Sequence, residues 1–164
     1  MGLQLPGELV SVLGALGFSW PEADETKLFE MGNAWIGFGQ TLSGGVGQAD
    51  ATAAEVWTQG SGMSVDAFKT AWTGAESPTA NLGDAATAAT MVGAGLFVVA
   101  GLVLALKINV IIQVTILAIQ IAQAIATAVV TFGASLLEIP IFRMLTKLVL
   151  DQLLGLAIDA VLNG

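Results

Sequence analysis

The chain has 164 residues, 55% hydrophobic and only 11% charged, with a net charge of −8 and a mean hydropathy of +0.80. A soluble domain usually carries about 25% charged residues, so this composition points to membrane contact or unusually extensive helix burial. With no Cys, His or Tyr and no basic footprint, the chain excludes disulfides, Cys/His metal sites, thiol chemistry and nucleic-acid binding.

Charge is divided unevenly. Residues 1–84 carry ten carboxylates against Lys27 and Lys69. In residues 85–164, Lys107, Arg143 and Lys147 balance Glu138, Asp151 and Asp159. The acidic half therefore holds the whole net charge, and an acidic half joined to a neutral, apolar half reads as two tasks. The first residues, Met1 to Glu8, have neither a basic n-region nor an apolar h-region. They do not read as a Sec or Tat signal, so export would need another route.

In chain order, residues 6–17 start at Pro6 and place Leu9, Val10, Leu13 and Leu16 at helical spacing. They predict a short amphipathic helix ended by Gly17. Trp20-Pro21 followed by Glu22, Asp24 and Glu25 then reads as a helix start, with the carboxylates in the first turn rather than on a metal. In the long helix that follows, Leu28, Met31, Trp35, Phe38 and Leu42 repeat in steps of three and four. The repeat continues through Gly45, Ala49, Thr52 and Val56, a heptad seam. Its second half is small, with Gly44, Gly45 and Gly47, and either admits another helix closely or marks a weak point.

Trp57 precedes a break at Gly60 and Gly62. Ser64 then predicts an N-cap, with Val65, Phe68 and Trp72 on one face. The unit is a helical hairpin, about 20–60 and 64–76, with Pro78 ending or kinking its second arm.

From Ala85 to Leu137 the only charged side chain is Lys107. The stretches on either side of it are both long enough to cross a bilayer as helices. Either one long helix runs through Lys107 or a tight turn falls there. Asn109, Gln113, Gln120, Gln123, Thr127 and Thr131 form an uncharged polar stripe at helical spacing. That stripe reads as a solvent face, as interhelical hydrogen bonding in a membrane bundle, or as pore lining. Gly93, Gly95 and Gly101 show no phosphate-binding spacing and read as close-packing positions. Gly133 and Pro140 bracket a break before a last helix, about 141–162. The fold class is all-α: a helical hairpin, residues 1–77, followed by an apolar helical tail, residues 78–164, that packs in a bundle or enters a membrane. No nucleophile–base pair, cofactor site or metal site is visible, and the chain reads as non-enzymatic.

The patterns Leu5-Pro6-x-Glu8-Leu9-x-x-Val12-Leu13 and Trp20-Pro21-x-Ala23-Asp24-Glu25-x-x-Leu28, with the hairpin ending GSGMSVDAFKTAW, carry a family resemblance. They resemble the WXG-like N-terminal domain of actinobacterial polymorphic toxins associated with type VII (ESX) secretion. The mycobacterial outer-membrane channel and NAD-glycohydrolase toxin is one such relative. The resemblance covers about residues 3–75. It implies a delivery portion without its toxin domain, secreted by a non-Sec route. The hairpin would pair with a small WXG helical-hairpin protein or with itself and be read by the secretion machinery, with a lipid bilayer as a further partner. The family's W-x-G turn is replaced here by Gly60-Ser61-Gly62, with Trp57 one helical turn earlier. The family's Tyr-x-x-x-Asp/Glu signal has a Trp72-to-Glu76 counterpart, whose bland reading is a helix-end Trp packed on the hairpin.

Overall fold

The computed structural model describes residues 2–163 and is all-α, with no strand among the described residues. Five helices follow in order: α1 Gly7–Ala15, α2 Glu25–Gln59, α3 Met63–Trp72, α4 Pro78–Thr127 and α5 Ile139–Asn163. A 3-10 turn, Ala134–Glu138, precedes α5.

Punctuation explains most boundaries. α1 ends ahead of Gly17, as its pattern predicts. α2 starts later than expected, at Glu25. Pro21 to Asp24 stay outside the helix, and Asp24 Oδ1 accepts the Lys27 backbone N–H at 3.2 Å. Asp24 is thus a cap rather than a first-turn residue, and that bond holds its carboxyl below the ordinary value. α3 is capped by Gly62, not by Ser64, which lies inside its first turn. Gly62 has φ +123°, a conformation that side-chain-bearing residues rarely adopt.

Pro78 opens α4 rather than ending α3. Ser77 Oγ accepts the Ala80 N–H at 3.1 Å, and Pro, lacking an N–H, suits the first helical position. α4 has 50 residues and runs unbroken through Lys107, so no turn falls there. At 1.5 Å per residue it is about 75 Å long. It unwinds after Thr127, so Thr131, expected on the helical stripe, lies beyond the helix. The Thr131 hydroxyl instead lies 3.0 Å from both the Thr127 carbonyl oxygen and Ser135 Oγ, either of which can accept its one proton.

The chain forms two compact units. One comprises the described residues up to Lys27 together with those from Val99 onward; the other is Leu28–Val98. The divisions fall inside α2 and α4. In the first unit, Leu13 and Leu16 of the α1 segment, Val110, Val114 and Leu117 of α4, and Leu150 of α5 form the core. In the second unit, α2 and α4 pack antiparallel along small residues. A Cβ at Gly39 would lie 2.8 Å from the Ala86 carbonyl oxygen, and one at Gly93 would lie 2.8 Å from that of Gly32. Only glycine permits backbones to approach this closely. Phe29 and Phe97 close one end of the contact, with ring centroids 5.8 Å apart.

Candidate docking face and buried charge pair

Glycine on α2 decides which side of that helix faces inward. Gly32 and Gly39 are buried, seven residues apart, with Ile36 between them against Gly93. The neighbouring row, Met31, Trp35 and Phe38, is left 50%, 40% and 51% exposed. Leu28 and Leu42, at the ends of the row, are half-buried. The Trp35 and Phe38 rings meet edge to face at 6.1 Å and line a shallow hollow of about 210 Å³. The aromatic row read as a packing seam is therefore not the one α4 uses. Bulky rings would hold the α4 backbone away, whereas glycines admit it. The later glycines, Gly44, Gly45 and Gly47, face open space and receive no helix, yet α2 continues through them.

Trp57, Gly60 and Gly62 lie at the hairpin end. Trp57, Phe68 and Trp72 form a ladder of rings with centroid separations of 5.9 and 5.5 Å. It holds α3 antiparallel to the end of α2. The Trp72 indole N–H donates to Asp50 Oδ1 at 2.8 Å. Glu76 lies exposed in the turn before α4. A Cβ at Gly60 would sit 2.9 Å from the Val56 carbonyl oxygen.

Lys107 is 1% exposed in the middle of α4, and its Nζ donates to Glu25 Oε2 at 2.8 Å. It sits on the same buried face as Ala100, Val110, Val114 and Leu117. Glu25 is also buried, and its other oxygen accepts the backbone N–H of Leu3. The Lys107 ammonium lies 5.7 Å from the Trp20 ring centroid. Burial pushes the Glu25 carboxyl up. The hydrogen bonds from Leu3, Lys107 and its own backbone N–H, with the Lys107 charge, outweigh this and hold it at about 2.

The sequence pattern places Glu25 in a helix's first turn and does not mark it as the partner of Lys107. A lone charge in an apolar run calls for a counter-charge, but ten acidic residues upstream left the partner unselected. Gly2 has no room for a Cβ against the Glu25 carboxylate, so the N-terminal segment closes over the pair.

The polar stripe lies away from the buried face of Lys107. Gln113 and Gln120 are half-buried; Asn109, Gln123 and Thr127 are exposed. Asn109 Nδ2 donates to the Ala105 carbonyl at 2.8 Å, and Thr127 Oγ1 to that of Gln123 at 2.9 Å. Those two side chains serve their own helix. Beside the stripe, Ile108, Ile112, Ile116, Ile119 and Ile125 are exposed.

A long helix and a short antiparallel one, joined at a glycine turn, make a helical hairpin that bears an outward aromatic row. The chain matches the WXG100 like domain over residues 4–148 and belongs to that family. No curated protein and no solved structure matches it. WXG100-like domains are helical modules, typically without catalytic chemistry, that often pair with similar helical partners and typically leave the cell by non-Sec routes. Among the described residues no three His, Cys, Asp or Glu side chains are grouped to hold a metal.

Proposed function

We propose that this chain is the non-enzymatic targeting and delivery domain of a type VII-secreted effector of the actinobacterial polymorphic-toxin kind. It acts by helix-bundle assembly with a small WXG hairpin protein or with a second copy. The observation that supports this reading is the exposed Met31-Trp35-Phe38 row on α2. The chain's own α4 takes the glycine face and leaves the aromatic face for another helix pair. In functional terms, residues 1–77 form the export hairpin and residues 78–164 the tail. Trp72 and Glu76 serve as the signal element, with the machinery reading the assembled hairpin end. The test is export of a tagged chain from a host with a type VII system, beside Trp35→Asp with Phe38→Asp. Export should fall to background in the double variant while its helical signal is retained. Undiminished export would sink the reading.

A second reading, membrane insertion of residues 85–137, draws on α4. Its most apolar 18-residue window has a mean hydropathy of 2.4 and is only 17% buried. The outward isoleucines would face lipid and the stripe from Asn109 to Thr131 a bundle interior. Liposome flotation and dye release test it. If the stripe lines a pore, Gln120→Leu with Gln123→Leu abolishes conductance; unchanged single-channel currents rule that role out.

A further inference from the structure

Where the end of α3 and the start of α4 flank α2, the surface opens into a hollow of about 600 Å³. That volume lies within the range of about 300–1,000 Å³ common for ligand pockets. Asp50, Ala54, Trp57, Trp72 and Ser77 are among its walls. The walls are fixed. Trp72 is held by its hydrogen bond to Asp50 and its stacking on Phe68, and Ser77 is buried and committed to capping α4. One acceptor position of Asp50 is occupied by the indole, and a carboxylate has several more.

The hollow is suited to a cation. The Lys69 ammonium, which is not among the walls, lies 5.9 Å from the Trp57 ring centroid, so this ring attracts positive charge while Lys69 stays outside the hollow. Within Leu28–Val98, Lys69 is the only basic side chain, against Glu30, Asp50, Glu55, Asp66, Glu76 and Asp84. Such a field steers positively charged groups toward this unit.

We infer that this hollow receives an arginine side chain presented by a partner protein. The guanidinium would stack on the Trp57 and Trp72 rings and donate to the Asp50 carboxylate. A planar, weakly hydrated cation fits two indoles and a carboxylate better than a compact ammonium does. This site uses none of the Trp35–Phe38 row, so its fate is independent of the seam reading; it shares Trp72 with the proposed signal element, whose Glu76 lies outside the hollow.

The test is NMR of the full chain, following the indole N–H signals of its four tryptophans. Trp20 and Trp35 serve as internal controls. Titration with an arginine–glycine hexapeptide should shift Trp57 and Trp72 saturably, whereas the uncharged citrulline counterpart should not. Asp50→Asn should weaken binding at least tenfold. Glu55→Gln, which removes the same charge outside the hollow, should leave binding unchanged. Should Asp50→Asn disturb the hairpin, Trp57→Phe provides a second variant and should weaken binding several-fold. Equal shifts at all four indoles, no saturable shift at millimolar peptide, or equal losses in Asp50→Asn and Glu55→Gln would each overturn the assignment.

Discussion

The two compact units solve the burial problem in opposite ways. Leu28–Val98 buries almost nothing large. Glycine, alanine and threonine, with Ile36 and the Phe29–Phe97 pair, form its α2–α4 contact, and the rings of Trp35 and Phe38 stay outside. The other unit buries large aliphatic side chains and, among them, a lysine and a glutamate, while exposing a row of isoleucines. Small-residue contacts derive their strength from backbone proximity and tolerate little added volume. A core with a paired charge instead depends on both members being present. The first arrangement leaves its aromatic bulk exposed, and the second hides its charge from its surroundings.

The largest expected effect breaks the charged core. Glu25→Ala leaves Lys107 buried without a partner and should cost about 3–5 kcal/mol in denaturant unfolding. Glu25→Leu combined with Lys107→Met should recover most of that loss. A single-variant cost below about 1 kcal/mol would mean that the pair is solvated.

Acid probes the same pair. The Glu25 carboxyl is held at about 2 against an ordinary 4.5. Its contribution is therefore fully present above pH 4.5 and is lost as pH falls from there through about 2. The melting temperature should drop more steeply over that window in the wild type than in the Glu25→Leu, Lys107→Met variant. Parallel profiles would contradict the pairing. Mild acidification near pH 5 to 6 leaves the pair intact.

Next comes the small-residue seam. Gly93→Val, which drives a branched side chain into Ile36 and the Gly32 carbonyl, should cost about 1–3 kcal/mol from overpacking. Gly44→Ala, facing open space on the same helix as Gly32, should instead stabilise by about 0.5–1 kcal/mol. Equal effects at the two positions would erase the distinction between the seam and the open stretch.

The smallest stability effect belongs to Trp35. Its ring is 40% exposed, so Trp35→Ala should cost the isolated chain no more than about 1 kcal/mol. Binding to a helical-hairpin partner should fall tenfold or more, as expected for a central aromatic anchor. A large loss of stability with unchanged partner binding would reverse the assignment of inner and outer faces.

Much of the architecture is legible in residue order because glycine and proline punctuate it. Gly17, the Gly60–Gly62 turn, Pro78 and Gly133 all fall at or beside element boundaries. The facing of α2 is less legible. Met31, Trp35 and Phe38 dominate any hydrophobic pattern, whereas Gly32 and Gly39, one position along, contribute nothing to it. Their heptad spacing, matched by Ala86 and Gly93 on α4, was the available signal. Lys107 was recognisable as a residue in need of solvent or a partner. Choosing Glu25 over its acidic neighbours required knowing that α2 begins at Glu25 and that Asp24 is spent on its cap.

The Glu25–Lys107 contact joins residues 82 positions apart. Closing a flexible loop of that length costs about 4 kcal/mol from the logarithmic dependence on length alone. The α2–α3 hairpin, closed through Trp57, Phe68 and Trp72, spans a far shorter loop. Assembly order follows from this difference in contact distance. The hairpin is expected to form early and locally, and the ion pair to close late, after most of α4 has been synthesised. On that order the α2–α3 hairpin would exist while the long helix still carries an uncompensated lysine. A nascent chain is thus expected to close its hairpin end before its apolar helix is charge-neutral.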